Sequence, residues 1–300
     1  MSFQLTLMKF VVYFLLVFLF LGSCGKNNPD PSWIEVGEWD LEENPNAVIP
    51  AGELSQNITE AFLYVNDDLI GVFEVPFRIP LLKEGAVNVK IFPAIKNNGI
   101  SATKKVYSFL DIFEFNGTLV KNQTLTIQPK TRYKSNVKFI IEDFEDAAIK
   151  LENDPNSAAT YTVGNDPGIL QWFNGNFYGQ VNLNAEDSTW IAYTNFASVN
   201  GANLPRQTEV YLEIDFYNTA PVITGLLAVS PTSGVQPNQN IQLNALKPEN
   251  LKWRKIYIDL RELINSSDPQ AYFEHSFQAK LPDGETNGLI ILDNIKIVYF

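Results

Sequence analysis

Apolar and polar residues alternate in short runs along most of the chain, and each run stops at Gly, Pro, Asn or Asp. A period of two puts every second side chain on the same face of a strand. Strands are therefore expected at 61–65, 69–75, 87–92, 103–109, 124–127, 137–141, 209–217, 223–229, 241–243, 255–260, 273–279 and 289–299. Between them stand Asn66-Asp67-Asp68, Asn97-Asn98-Gly99, Asn116-Gly117, Ser230-Pro231-Thr232-Ser233-Gly234 and Pro282-Asp283-Gly284. These residues favour turns, because they tolerate positive φ, fix φ, or bond their own backbone. After Cys24 no segment carries a sustained helical stripe, and only 260–265 fits a helical turn. Short strands at this spacing predict an all-β chain built from sandwiches. The polar stretch 129–136 marks a boundary, giving a first sandwich over 33–135 and a second over 136–300.

The start of the chain follows another pattern. Lys9 precedes an unbroken apolar run, 10–21, that ends in Leu21-Gly22-Ser23-Cys24. That run is too short to cross a hydrocarbon layer of about 30 Å as a helix. A basic residue followed by a short apolar segment fits a secretory signal, residues 1–23. The small residues directly before Cys24 resemble a bacterial lipobox. The resemblance implies cleavage before Cys24, diacylation of its thiol, and attachment to a lipid bilayer. Two or more acyl chains make a stable anchor. Residues 24–32 then read as a polar tether. Gly25 is not the aspartate that retains enterobacterial lipoproteins in the inner membrane, so by analogy the outer membrane is expected. Surface-exported lipoproteins of Bacteroidota often carry an acidic cluster after the cysteine. Lys26-Asn27-Asn28 stands there instead, so the face of the membrane is left open.

Two further resemblances bear on the folded part. The run Ala61-Phe62-Leu63-Tyr64-Val65-Asn66-Asp67-Asp68-Leu69-Ile70-Gly71 is followed by Val75-Pro76, Ile79-Pro80 and Glu84-Gly85. This pattern is similar to PEGA and carboxypeptidase-regulatory-like modules, which implies a small Ig-like sandwich acting as spacer or docking surface. The second part opens with Asp143-Phe144-Glu145-Asp146 and contains Trp253-Arg254-Lys255-Ile256-Tyr257-Ile258-Asp259-Leu260. It closes with Leu292-Asp293-Asn294-Ile295-Lys296-Ile297. It resembles the β-jelly rolls of carbohydrate-binding modules and galactose-binding-like folds. In such jelly rolls, carboxylates of the opening and closing segments hold a structural calcium. The matching residues are Glu145 and Asp293, with Asp143 or Asp146 close in sequence, and oxygen ligands of this kind suit calcium. No other cofactor is expected.

Composition narrows the chemistry. With 34 acidic and 22 basic residues among 300, the formal charge is −12, which argues against a nucleic-acid partner held through phosphates. One Cys and one His leave no disulfide framework and no Cys/His zinc site. His275 lies in Tyr272-Phe273-Glu274-His275-Ser276-Phe277, where alternation turns it away from Glu274 and Ser276. The acids of strand-like runs such as 209–217 are expected on solvated faces. A second feature is the aromatic group Trp172, Phe173, Phe177, Tyr178, Trp190 and Tyr193, interleaved with Asn174, Asn176, Gln180 and Asn182. Aromatic faces bordered by amides match a sugar's C–H face and its hydroxyls. Alternate aromatics also line sandwich cores, and both readings stand at this point. As ligand-binding residues the sequence nominates Trp172, Tyr178, Trp190 and Asn176. Gly175 and Gly179 suggest turns where those rings are exposed.

The expected function is non-catalytic: an anchored binding or scaffold subunit of an envelope protein assembly. The alternative is capture of glycan at the cell surface through the jelly roll. A glycan-active enzyme is the third reading.

Overall fold

The computed structural model describes residues 29–170, 175–196, 204–237 and 241–300. Residues 1–28, with the expected export segment and Cys24, and Trp172 lie outside the described residues. The described residues are nearly all-β, with a first β-sandwich followed by a jelly-roll sandwich. No helix among the described residues is long and apolar enough to cross a membrane.

The first sandwich contains β1 (Ser32–Val36), β2 (Asp40–Leu41), β3 (Glu60–Val65), β4 (Asp68–Glu74), β5 (Phe77–Leu81), β6 (Gly85–Lys96), β7 (Lys104–Val106), β8 (Phe113–Leu119), β9 (Thr124–Ile127) and β10 (Lys130–Thr131). One sheet runs β4–β3–β6–β7 with β8 also on β6, a second runs β5–β1–β9, and β2 and β10 pair as a small third sheet. β1 pairs antiparallel with β5 and parallel with β9, so an early and a late strand lie side by side. Alternate residues point inward: Ile34 and Val36, Leu63 and Val65, Val89 and Ile91 are fully buried in one cluster. The tight turn between β3 and β4 uses Asn66 and Asp67 at φ 54° and 66°, the backbone a two-residue hairpin requires. Asn116-Gly117 behaves differently from its turn-like sequence. It lies inside β8, paired with Asn88 and Val87 of β6, and Asn88 Nδ2 donates to Asn116 Oδ1 at 3.0 Å.

The second sandwich contains β11 (Lys138–Glu142), β12 (Leu151–Asn153), β13 (Thr162–Gly164), β14 (Tyr178–Asn184), β15 (Thr189–Thr194), β16 (Val210–Asn218), β17 (Val222–Ser230), β18 (Gly234–Pro237), β19 (Ile241–Leu243), β20 (Arg254–Asp259), β21 (Tyr272–Lys280) and β22 (Asn287–Tyr299). A short helical turn, α1 (Pro167–Leu170), and a helix, α2 (Arg261–Ser266), complete it. The junction sheet has the order β13–β14–β22–β16–β20 with β11 on β22. The outer sheet has the order β12–β15–β21–β17–β18 with β19 on β17. Leu212 and Ile214 of the junction sheet meet Trp190, Leu226 and Phe277 of the outer sheet in a continuous core. Burying each such side chain contributes about 1.5–3 kcal/mol.

The sandwiches share apolar contacts. Tyr211, Tyr257 and Val298, from the far face of the junction sheet, belong to the cluster that holds Tyr107, Phe109 and Tyr133 of the first sandwich. Tyr107 sits 5.2 Å from Tyr211 and 5.0 Å from Tyr257, ring centre to ring centre. The acids of β16 are therefore not solvated as their alternation suggests. Glu213 and Asp215 are buried, because the first sandwich covers that face.

Candidate functional site

The two sheets of the jelly roll differ in what covers their far faces. On the junction sheet, Glu213 accepts hydrogen bonds from Tyr107 at 2.7 Å and Tyr133 at 2.8 Å, both from the first sandwich. Lys255 Nζ lies 2.8 Å from Glu213 and 3.7 Å from Asp215. Desolvation pushes Glu213 towards protonation, but the charges of Lys255 and Lys296 outweigh it and hold its pKa below the ordinary value. Further along the same face, Tyr178, Trp253 and Ile291 pack with Leu170 of α1. Both stretches are covered.

Among the described residues, the outer sheet's far face keeps exposed side chains such as Tyr272 and Ile223. Register across its strands places Glu152, Tyr193, Ser276 and Gly225 in one row. Ile191, Gln278 and Ile223 form the row on one side, with Gln242 of β19 beyond Ile223. Glu274 with Leu227, then Tyr272 with Val229, form the rows on the other side. Neighbouring strands lie about 4.8 Å apart, so the rows make a shallow tray whose low floor is Gly225 and Ser276. Ser276 Oγ donates to Gly225 O at 3.0 Å. Tyr272 is 39% exposed, and Tyr193 and Glu274 are half-buried. Partial burial first, then the charge of Glu152, raises the pKa of Glu274. Partial burial and the neighbouring acids Asp154 and Glu274 raise that of Tyr193. Two phenol rings, two carboxylates and two amides thus border a low floor of Gly225 and Ser276.

Of the residues nominated from sequence, Trp190 and Tyr178 are core residues. Trp190 is fully buried against Phe277, and its Nε1 donates to Asn153 Oδ1 at 3.0 Å. Tyr178 is 1% exposed, and its hydroxyl accepts the Asp166 N–H at 3.2 Å. Neither ring is available to stack on a sugar. Gly179 does not mark a turn; it lies within β14, where a Cβ would stand 2.4 Å from the Phe144 ring. Asn176 is exposed, but away from the tray, and it engages Glu145: its N–H and Nδ2 lie 2.5 and 3.1 Å from that carboxylate. Trp172 lies outside the described residues. Sequence reasoning named Tyr193 and passed over Tyr272, Glu152, Glu274 and Gln278. The signal was there in β21, where Tyr272, Glu274, Ser276 and Gln278 oppose Phe273, His275, Phe277 and Ala279. His275 faces inward, fully buried, and desolvation lowers its pKa to about 3.

The calcium pair falls in a crowded acidic corner. Desolvation raises the pKa of Glu145, but the amides of Asn176 and Phe177 outweigh it and bring the value below normal. Asp293 is buried; desolvation first, then the charges of Asp215, Glu53 and Asp143, push it up to about 9. Glu53, not nominated from sequence, stands between them. Its Oε1 and that of Glu145 lie 2.6 and 3.0 Å from where a Cβ of Gly175 would be. Glu53 Oε1 and Asn294 Oδ1 are buried without a hydrogen-bond partner among the described residues. Among those residues, no three His, Cys, Asp or Glu side chains converge tightly enough to enclose a metal.

No protein-family model and no curated protein matches the sequence. Solved structures with a similar chain path include one of the carbohydrate-binding modules of the β-sandwich superfamily. It has 16% identity and a TM-score of 0.39, covering 90% of this chain and 99% of that one. A non-crystalline-cellulose-specific carbohydrate-binding module has 15% identity and a TM-score of 0.38, covering 52% of this chain and 91% of its own. An exo-β-agarase has 13% identity and a TM-score of 0.36 over 53% of this chain and 24% of the agarase. At such identities, what those proteins bind or cleave is a fact about those proteins alone.

Proposed function

We propose that this chain is a non-catalytic glycan-binding protein, held at an outer membrane through an acylated Cys24, with the open face of the outer sheet as its saccharide platform. The observation that carries the reading is the contrast between the two sheets. The junction sheet is sealed by the first sandwich and by α1, whereas the outer sheet presents Tyr193, Tyr272, Glu274 and Gln278 around a low floor. Phenol faces meet the C–H faces of a sugar ring, and the carboxylates and amide bond its hydroxyls. Affinity electrophoresis against a panel of neutral polysaccharides tests it. Retention of wild type, lost by about tenfold or more in Tyr193→Ala and Tyr272→Ala, supports the platform. Retention on nothing, or equal retention of both variants, refutes it.

A protein partner on the same face is the second reading, favoured by Ile223 and Val235, 41% and 60% exposed towards its far edge. Crosslinked pull-down from membranes tests that reading, which fails when only the chain itself is recovered. A structural calcium is the one cofactor proposed. Glu145 and Asp293 would hold it with Asn294 Oδ1, whose lack of a hydrogen-bond partner among the described residues favours it. It would supply the positive charge that keeps Asp293 ionised. Equal melting temperatures in calcium and in EDTA would remove the proposal.

A further inference from the structure

A cavity of about 540 Å³ opens where the two sandwiches meet, and Gln242 at the β19 edge is the residue it shares with the outer-sheet platform. It lies within the range of about 300–1,000 Å³ typical of ligand sites. β20 and β19, edge strands of the two jelly-roll sheets, form two of its sides, and the Asn97–Ile100 loop of the first sandwich forms another. That loop is pinned in place. Asn98 N–H donates to Tyr257 O at 2.9 Å, and Tyr211 donates to Asn97 Oδ1 at 2.7 Å. The site therefore exists only when both sandwiches are present.

Four amides line it, and each has one end committed to the protein. Asn57 Nδ2 bonds Lys255 O at 2.8 Å, and Gln242 Nε2 bonds Asn244 Oδ1 at 3.0 Å. Asn98 Oδ1 accepts the Asp259 N–H at 2.8 Å. Two acceptors, Asn57 Oδ1 and Gln242 Oε1, and two donors, Asn98 Nδ2 and Asn244 Nδ2, have no hydrogen-bond partner among the described residues. A mixed set of spare donors and acceptors suits hydroxyls, which do both. Phe216 and Ile256 supply an apolar floor.

The charge in the cavity is more telling. Arg254 lies over the Phe216 ring at 4.5 Å, and its Nη2 is held by neutral groups, Asn218 Oδ1 at 2.5 Å and Asn244 O at 2.7 Å. Its Nε is buried without a partner, and among the described residues no carboxylate lies within ion-pair distance of it. The other cavity charges are either paired or exposed: Asp259 with Lys105 and Arg261, Lys96 with Glu74, Lys255 with Glu213, and Glu262 at the exposed rim. A half-buried guanidinium without a counter-ion is costly, and a carboxylate is its best-matched partner.

We propose that this cavity binds an acidic sugar, a uronic-acid residue, with its carboxylate on Arg254 and its ring hydroxyls on the four amides. Calorimetry on the purified chain tests it, using galacturonate and glucuronate oligosaccharides beside their neutral galactose and glucose counterparts. The expected result is binding of an acidic oligosaccharide, weakened about tenfold or more by Arg254→Gln and weakened likewise by Ile100→Trp. Ile100 is 52% exposed at the mouth, so the tryptophan blocks entry without touching Arg254. Both variants should bind the platform's neutral glycans as wild type does. No acidic binding, a loss of neutral binding in Arg254→Gln as large as its loss of acidic binding, or undiminished acidic binding in either folded variant overturns the proposal. Melting curves identify a variant that fails to fold, and the other then decides.

Discussion

Replacing Glu213 with Gln tests whether the junction is held as described. The substitution keeps the shape and one acceptor for the Tyr107 and Tyr133 hydroxyls, but it removes the charge 2.8 Å from Lys255 Nζ. The side chains of Lys255 and Glu213 are 3% and 0% exposed, so water does not take over. Lys255 and the buried Lys296 are left with Asp215 as the nearest buried anion. Removing one partner of a buried pair costs about 3–5 kcal/mol. At about 2–4 °C per kcal/mol for a chain of this size, the midpoint should fall by about 6–20 °C in a calorimetric or circular-dichroism melt at pH 7. Tyr133→Phe, which removes one hydroxyl donor, should cost less, about 1.5–3 kcal/mol. Glu213→Leu with Lys255→Met should recover much of the loss, since it removes both charges together. The pH dependence has a fixed sign. Glu213 titrates below its unfolded value of 4.5, so its contribution is present above that pH and lost on acidification. The gap between wild type and Glu213→Gln should close below about pH 4.5. A Glu213→Gln midpoint within about 2 °C of wild type at pH 7 would refute the buried pair.

Three other outcomes follow from the geometry. Asp293, pushed up to about 9 from 3.8, holds a proton in the folded state that it lacks when unfolded. Its contribution to stability therefore falls as pH rises between those values, by up to about 1.4 kcal/mol per unit. Asp293→Asn should gain on wild type between pH 5 and pH 7.5 in denaturant titrations without calcium; a constant difference refutes it. His275, lowered to about 3, should show a flat imidazole NMR shift from pH 8 to pH 5, and a midpoint near 6.5 would place it in water. Trp190→Ala should cost about 3–5 kcal/mol while leaving glycan affinity of the folded protein unchanged; selective loss of affinity would return Trp190 to the binding site.

Strands were legible wherever one face was apolar and the other polar, as in β21, and the terminal strand was legible from its length. β15 escaped notice because Trp190 and Ala192 alternate with Ile191 and Tyr193, apolar on both faces, whereas in β14 Val181 and Leu183 alternate with Gln180 and Asn182, and those amides suggested a ligand border instead of a strand. β16 shows a different limit. Its Tyr211, Glu213 and Asp215 alternate as a solvated face would, and only the arrival of Tyr107 and Tyr133 from about 80 to 106 residues away makes them interior. The open face of β21 could be read from Glu274, Ser276 and Gln278. Arg254 could not, since its lack of a counter-ion is a property of three segments meeting.

The sealing of the junction sheet on both sides also has consequences for inheritance. A jelly roll cut free at residue 136 would present Glu213, Lys255, Tyr211 and Tyr257 to solvent, while the first sandwich would lose the acceptor for Tyr107 and Tyr133. Neither half can be shuffled into another protein as an independent cassette. Recombination that respects this fold moves both sandwiches as one unit, with the breakpoint ahead of β1.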